Sequence, residues 1–254
     1  MPQLGHYLDE IVVLAQKDFK LRYRNSVLGF LWSLLNPLAY MLILTLVFKY
    51  LLRSTIPNFA AWILIGVLVW RFFALGTSGG LYSVLGNGPL VTKVYLPRQI
   101  LVLSNNLANF LGSSLEFVTL LPLLIYLGIN MTLYSLLLPL ILSIEFLLIF
   151  GLSLALSSLF LKYRDFHQIW DIALQLGFWL SPIVYDGSLI PPRFAFVYAL
   201  NPVTRLIEFT RGIFLENRIP TMFDTSVLVA AVTIIGITGH LIFSRLEKRF
   251  AEEL

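Results

Sequence analysis

Cysteine is absent from the 254-residue chain, which excludes disulfides, thiol nucleophiles and thiolate metal sites while leaving the redox compartment open. Charge is scarce as well. Asp, Glu, Lys and Arg make up 13% of the residues, about half of the roughly 25% of a soluble domain. The three histidines, His6, His167 and His240, lie too far apart for a local metal motif, and no H-E-x-x-H occurs. No glycine is followed by lysine, so the phosphate loop G-x-x-x-x-G-K-[ST] cannot be present and any ATP-driven work needs a partner. The first 24 residues lack the early basic region and the long apolar run of a secretory signal, so they are expected to stay in the protein. What abounds is apolar: 58% hydrophobic and 14% aromatic residues, in runs that recur along nearly the whole length. A water-soluble globule is excluded, and the chain reads as an all-α, polytopic membrane protein. The net charge of +4 is dispersed between the apolar runs, which excludes a nucleic-acid-binding face.

A helical span needs about 20 mostly apolar residues. Six segments qualify, at about 27–50, 59–81, 100–129, 133–161, 168–185 and 225–244. The fifth is short and ends at Ser181-Pro182. An even count places both termini on one side, and the distribution of basic residues selects the cytoplasm. Lys17, Lys20, Arg22 and Arg24, then Lys93 and Arg98, Lys162 and Arg164, and Arg245, Lys248 and Arg249 all fall on that side, against Lys49 and Arg53 in a short outer loop and Arg193, Arg205, Arg211 and Arg218 in a longer outer segment that the rule weights less. The expected location is the cytoplasmic (inner) membrane.

Residues 1–26 precede the spans. Leu4, Tyr7, Leu8, Ile11, Leu14, Ala15 and Phe19 recur at three- and four-residue steps opposite Asp9, Glu10, Gln16 and Lys17, the pattern of an amphipathic helix lying in the cytoplasmic interface. Residues 27–245 form the transmembrane domain and 246–254 a cytoplasmic tail. Between the fifth and sixth spans, residues 186–221 hold Pro191-Pro192, a short apolar piece, Asn201-Pro202 and an amphipathic piece carrying Arg205, Glu208 and Arg211. Both pieces are too short to span and too apolar for a free loop, so a re-entrant helical hairpin on the extracytoplasmic face is expected, shielded by protein or a water-filled cavity.

Ionisable residues within spans are few: Arg71 and Asp171, read as lying near span ends, and Glu116 and Glu145. Such groups carry a functional hypothesis by default, weighed against structural pairing or snorkelling. Asn105, Asn106, Asn109, Gly112 and Ser113, and again Gly151, Ser153, Ser157 and Ser158, are suited to close helix packing. Phe30, Trp32, Tyr40, Phe178, Trp179 and Tyr185 fit either an interfacial aromatic belt or the wall of a wide channel whose flat faces stack on sugar rings. The best-placed of them bracket Asn36-Pro37 and Ser181-Pro182, where proline frees backbone groups. Lys20, Arg22, Tyr23 and Arg24 fit attraction to anionic membrane lipids and capture of a phosphorylated lipid headgroup. No catalytic set and no metal set is visible.

Residues 18–37, with Arg22-Tyr23-Arg24, Val27-Leu28-Gly29, Trp32 and Asn36-Pro37, resemble the entry to the first span of ABC transporter type 2 permeases. Within that family the similarity is to the branch exporting O-antigen, teichoic acid and related polysaccharides. Val94-Tyr95-Leu96-Pro97-Arg98, Tyr163-Arg164-Asp165, the run from Phe178 through Ser181-Pro182 to Tyr185, and Asn201-Pro202 follow in the family's order. The resemblance implies a homodimer of this chain with two copies of a separate ATP-binding subunit, which supplies ATP and Mg; this chain carries no cofactor. It implies a lipid-linked glycan as cargo, a coupling helix within 86–98 with Lys93, Tyr95 and Arg98 as ATPase contacts, and a second contact loop with Lys162, Arg164 and Asp165. The 186–221 hairpin becomes an outer gate bearing Arg205, Glu208 and Arg211. The expected function is that of a non-enzymatic permease subunit exporting a polyprenyl-pyrophosphate-linked polysaccharide. The alternatives are a permease for a drug or small lipid and, from another class, a stand-alone ion-coupled carrier.

Overall fold

The computed structural model describes residues 2–24, 28–93, 96–194, 198 and 200–250. The described backbone is helical: α1 (Pro2–Tyr23), α2 (Leu31–Thr45, continued as a π-helical segment Leu46–Leu51), α3 (Phe59–Ser83), α4 (Gly88–Lys93), α5 (Gln99–Tyr126), α6 (Leu138–Lys162), α7 (Phe166–Leu180), α8 (Pro202–Leu215) and α9 (Met222–Leu246). Five helical stretches among the described residues are long and apolar enough to cross a membrane: Leu31–Leu51, Phe59–Ser83, Gln99–Tyr126, Leu133–Lys162 and Met222–Leu246. The segment expected as the fifth span forms α7, whose 15 residues rise about 22 Å, short of the roughly 30 Å hydrocarbon core. It stops where expected, because Pro182 disfavours helical backbone in Ser181, whose ψ is 150°.

The bundle is built around α3. Ile63, Leu64, Ile65, Val67, Leu68, Val69 and Phe72 are each at most 2% exposed, so α3 is apolar on every side and takes the centre. It packs against α5 and α6, with α2, α7 and α8 around them, and the most extensive pair is α6 with α9. Small residues allow the close approach expected of them. A Cβ on Gly76 would come within 2.6 Å of Asn109 Nδ2 on α5, and one on Gly80 would overlap Ser153 of α6. Ser153 Oγ in turn donates to Asn106 Oδ1 (3.4 Å).

At the edge, α2 exposes Leu31, Trp32, Leu35, Leu42, Ile43 and Leu46, and α7 exposes Ile169, Ile172, Leu176, Trp179 and Leu180. One end of the bundle gathers Lys17, whose Nζ donates to Asn87 Oδ1 (2.9 Å), and Arg98, which donates to the carbonyl of Glu247. At the opposite end lies α8, begun by Asn201 as N-cap (Oδ1 accepting from Val203 N, 3.0 Å) and by Pro202 at its first turn. It buries Val203, Leu206, Ile207, Phe209, Ile213 and Phe214, too many directions for a helix lying on a surface. Most of the first short piece of the expected hairpin, 195–197 and 199, lies outside the described residues.

Candidate functional site

A cavity of about 470 Å³ opens between α2, α3 and α7, within the size range of ligand sites. Its wall is aromatic: Tyr40 from α2, Trp70 from α3, and Phe178 and Trp179 from α7. Helical spacing places them there. Asn36 and Tyr40 stand four apart on α2, Val67, Trp70, Arg71 and Ala74 follow three- and four-residue steps on α3, and Leu174, Gln175, Phe178 and Trp179 do so on α7. The rings interlock, with centroids 6.3 Å apart for Tyr40–Phe178, 6.0 Å for the edge-on Trp70–Phe178 pair and 5.3 Å for Phe178–Trp179. Gly177 makes this fit possible, because a Cβ there would come within 2.7 Å of the Trp70 ring. Trp170 Nε1 fixes the other end of α7 by donating to Thr77 Oγ1 (3.2 Å).

The polar edge of the cavity is Asn36, Arg71 and Gln175. The sequence predicts Arg71 near a span end, free to snorkel. It lies instead in the middle of the 25-residue α3, donates to Asn36 Oδ1, and approaches Glu116 Oε2 of α5 with its Nε at 3.7 Å. Structural pairing thus holds for Arg71 and Glu116. Glu145 is different: it is fully buried, and neither oxygen has a hydrogen-bond partner among the described residues. An unsatisfied buried polar group costs about 1–3 kcal/mol. Glu145→Leu is therefore expected to raise the thermal midpoint of the detergent-purified chain by several degrees, and a fall would show that the carboxyl holds a stabilising contact.

Of the six aromatics read as channel wall, Tyr40, Phe178 and Trp179 meet at the cavity. Phe30 precedes α2, and Trp32 is 59% exposed on its outer face. Tyr185 lies beyond the end of α7, donating to the carbonyl of Leu180 (2.9 Å) and facing a separate hollow with Phe48, Arg53 and Val184. Nothing in the sequence alone marks Trp70, Asn36, Arg71 and Gln175 as parts of the wall. Their common face with Tyr40 and Phe178 is legible only once the packing of α2 and α7 on α3 is known.

The basic cluster divides. Lys20 and Arg24 border a shallow hollow with Val13, Phe19 and Leu21, whereas Arg22 Nη1 donates to Asn109 Oδ1 of α5 (2.9 Å). The side chain of Tyr23 lies outside the described residues. Among the expected ATPase contacts, the side chain of Lys93 and all of Tyr95 lie outside them too. Arg98 is turned onto the chain's own carboxyl-terminal end, against the Glu247 carbonyl and 5.9 Å from the Phe250 ring centroid. Lys162 covers the Tyr163 ring (5.0 Å), and Arg164 and Asp165 form the turn into α7.

The three residues of the expected gate are all engaged. Arg205 is ion-paired with Asp224, Tyr198 donates to Glu208 Oε1 (3.1 Å), and Arg211 is 2% exposed. Its guanidinium donates to the carbonyls of Trp62 (Nη2, 3.1 Å), Pro182 and Ile183 (Nη2, 2.9 Å), and lies 3.8 Å from the Trp62 ring centroid. Burial pushes the Glu208 carboxyl above the usual carboxylate range and, together with the neighbouring Glu208 charge, the Tyr198 phenol upward. Burial also draws Arg211 down to about 9, so it remains a cation at neutral pH.

The pattern G-x-S-x-G of hydrolase nucleophiles occurs once, at Gly76-Thr77-Ser78-Gly79-Gly80. It falls within the continuous helix α3, not on the strand-to-helix turn that exposes such a serine.

The model of the family described as ABC-2 type transporter matches residues 9–215. The chain is 32% identical over 252 residues to the O-antigen export system permease protein RfbA of Klebsiella pneumoniae, covering 99% of this chain and 97% of that protein. It is 32% identical over 261 residues to the protein of the same name from Myxococcus xanthus, covering 99% and 98%. The polysialic acid transport protein KpsM of Escherichia coli is 23% identical over 220 residues, covering 83% and 84%.

Proposed function

This chain belongs to the ABC-2 type transporter family, and from that premise we propose that it is the membrane subunit of an ATP-driven exporter that moves a lipid-linked polysaccharide out of the cytoplasm. The observation that carries the reading is the cavity at mid-bundle, where Tyr40, Trp70, Phe178 and Trp179 offer flat apolar faces beside the donors and acceptors of Asn36, Arg71 and Gln175. Pyranose rings have apolar C–H faces and hydroxyl edges, and such a wall stacks on the first while its rim bonds the second. The relatives named for O-antigen export and polysialic acid transport support the same cargo class.

ATP hydrolysis belongs to a separate subunit, present in two copies with two copies of this chain. The exposed apolar faces of α2 and α7 flank the cavity, and a second copy seated across them turns two open cavities into one channel. In this arrangement α7, completed by the stretch through Tyr185, is the fifth of six crossings, and both termini face the cytoplasm. There α1 lies along the interface, Lys20 and Arg24 meet anionic headgroups, and the loops holding Lys93 and Tyr95, and Lys162 to Asp165, meet the ATPase. On the outer face α8 and the segment before it form the re-entrant gate.

The test is co-expression with an ATP-binding subunit, purification of the complex and reconstitution into vesicles. Lipid-linked polysaccharide from the source organism is expected to stimulate ATP hydrolysis several-fold. Replacing Phe178 and Trp179 together by alanine should remove most of that stimulation while leaving the basal rate. A stable complex indifferent to the glycan, or full stimulation of the double variant, would overturn the cargo assignment.

A further inference from the structure

Among the described residues the cavity is lined by one full charge, and its counter-charge stands behind it. Arg71 borders the cavity, while Glu116, 4% exposed at its side chain, faces Arg71 from α5 and does not line the cavity. The 3.7 Å between Arg71 Nε and Glu116 Oε2 is an ion pair, too long for a hydrogen bond. Asn36 Oδ1 takes one of the guanidinium's five N–H donors. Arg22 approaches from the side of α1, where Asn109 holds it, and it too is absent from the cavity wall. The cavity therefore meets a guanidinium with one donor on Asn36 and its Nε turned inward, whose charge is offset at close range by a carboxylate that Arg22 also approaches.

We infer that Glu116 is a specificity-determining residue that sets the cavity to accept uncharged sugar units, by neutralising Arg71 from behind while leaving its donors directed at hydroxyl groups. The inference rests on the polysaccharide reading above. Paired in this way, Arg71 donates hydrogen bonds to a hydroxyl edge without a net pull on carboxylate or phosphate substituents. Unpaired, the same guanidinium in a partly desolvated site becomes an anion receptor, because bidentate bonds from arginine to a carboxylate are charge-assisted. Asn36 belongs to the same device, since its bond to Arg71 fixes the direction of the fork across the gap between α2 and α3.

The experiment uses the purified complex with its ATP-binding subunit and two probes bearing the same neutral 2-aminobenzamide label, maltohexaose and hexagalacturonate, followed by fluorescence anisotropy. The unaltered complex is expected to bind maltohexaose at least as tightly as hexagalacturonate. Glu116→Gln should tighten hexagalacturonate by about tenfold, as expected for a gained charge-assisted bond, and change maltohexaose less than threefold, so that the preference inverts; a merely structural role would not produce that inversion. Arg71→Gln should weaken maltohexaose about tenfold without any gain for the acid. An unchanged ratio of the two affinities in Glu116→Gln, a strong preference for the acid in the unaltered complex, or no binding of either sugar overturns the inference. If Glu116→Gln fails to assemble with the ATPase subunit, Arg71→Gln decides, and unchanged maltohexaose binding overturns it. ATPase stimulation by the native lipid-linked polysaccharide, measured in parallel, tests the exporter reading separately, so that the selectivity can fail while the exporter stands.

Discussion

Arg211→Leu is expected to lower the thermal midpoint of the purified chain by roughly 6–20 °C, and Arg211→Lys to recover only part of that loss. The side chain is 2% exposed and joins three pieces of the chain: α8, which carries it, the Trp62 carbonyl of α3, and the unwound stretch after α7. That stretch sets the need. With α7 ended at Leu180, the carbonyls of Pro182 and Ile183 have left the helical ladder, and Arg211 supplies their donors. Buried carbonyls stripped of a partner cost about 1–3 kcal/mol each, so leaving three of them without the guanidinium costs at least about 3–5 kcal/mol. About 3–5 kcal/mol corresponds to a fall of roughly 6–20 °C in the thermal midpoint of a chain of this size. Lysine keeps the charge but lacks the planar fork, and one ammonium cannot reach three carbonyls aligned for a guanidinium. Gly66 gives an independent check, because a Cβ there would stand 2.7 Å from Arg211 Nη2 and 3.4 Å from Ile183 Cα. Gly66→Ala should therefore move the midpoint in the same direction without touching the arginine. Thermal unfolding of the detergent-purified variants decides the matter, and an Arg211→Leu midpoint within about 2 °C of the parent would mean that the carbonyls find other partners.

The helical class, the positions of five apolar crossings and the existence of helix α1 are legible because apolar periodicity is a local property. The limits were legible wherever proline or an N-cap residue writes them, as at Ser181-Pro182 and Asn201-Pro202. Lateral neighbours were not. Arg22 looked like a headgroup ligand by its place in a basic run, yet Asn109, 87 positions later, receives its hydrogen bond. Arg71 and Glu116 were visible as intramembrane charges, but their pairing depends on how α3 and α5 are rotated against each other. Tyr40 and Phe178 were separable from Phe30 and Trp32 only by their direction, which no spacing along a single helix reports. Arg98 reads as an outward contact from its loop, whereas the carboxyl-terminal end of α9 comes back to claim it.

The glycines of α9 give the sharpest case of information that exists only in the packing. Gly236 and Gly239 stand three residues apart on one helix, and both would pass as members of a small-residue seam. Gly151 of α6 sits opposite them, at the most extensive helix pair in the bundle. A Cβ on Gly239 would overlap the carbonyl oxygen of Gly151, whereas a Cβ on Gly236 meets nothing within 4 Å. The two substitutions are therefore expected to have opposite signs. Gly236→Ala places a better helix former in open space and should stabilise by about 0.5–1 kcal/mol. Gly239→Ala pushes against backbone, which cannot rotate away as a side chain can, so the helices must separate along their length; the cost is expected at or above the upper end of the roughly 1–3 kcal/mol of ordinary overpacking. Gly151→Ala should resemble Gly239→Ala, since its Cβ would come within 2.8 Å of Gly236 Cα. Midpoints of the three detergent-purified variants, compared with the parent, test the arrangement directly. Equal and small losses at 236 and 239 would mean that α6 and α9 are not in backbone contact. A rise at 236 beside a collapse at 239 would fix the rotation of α9 against α6 to within one residue.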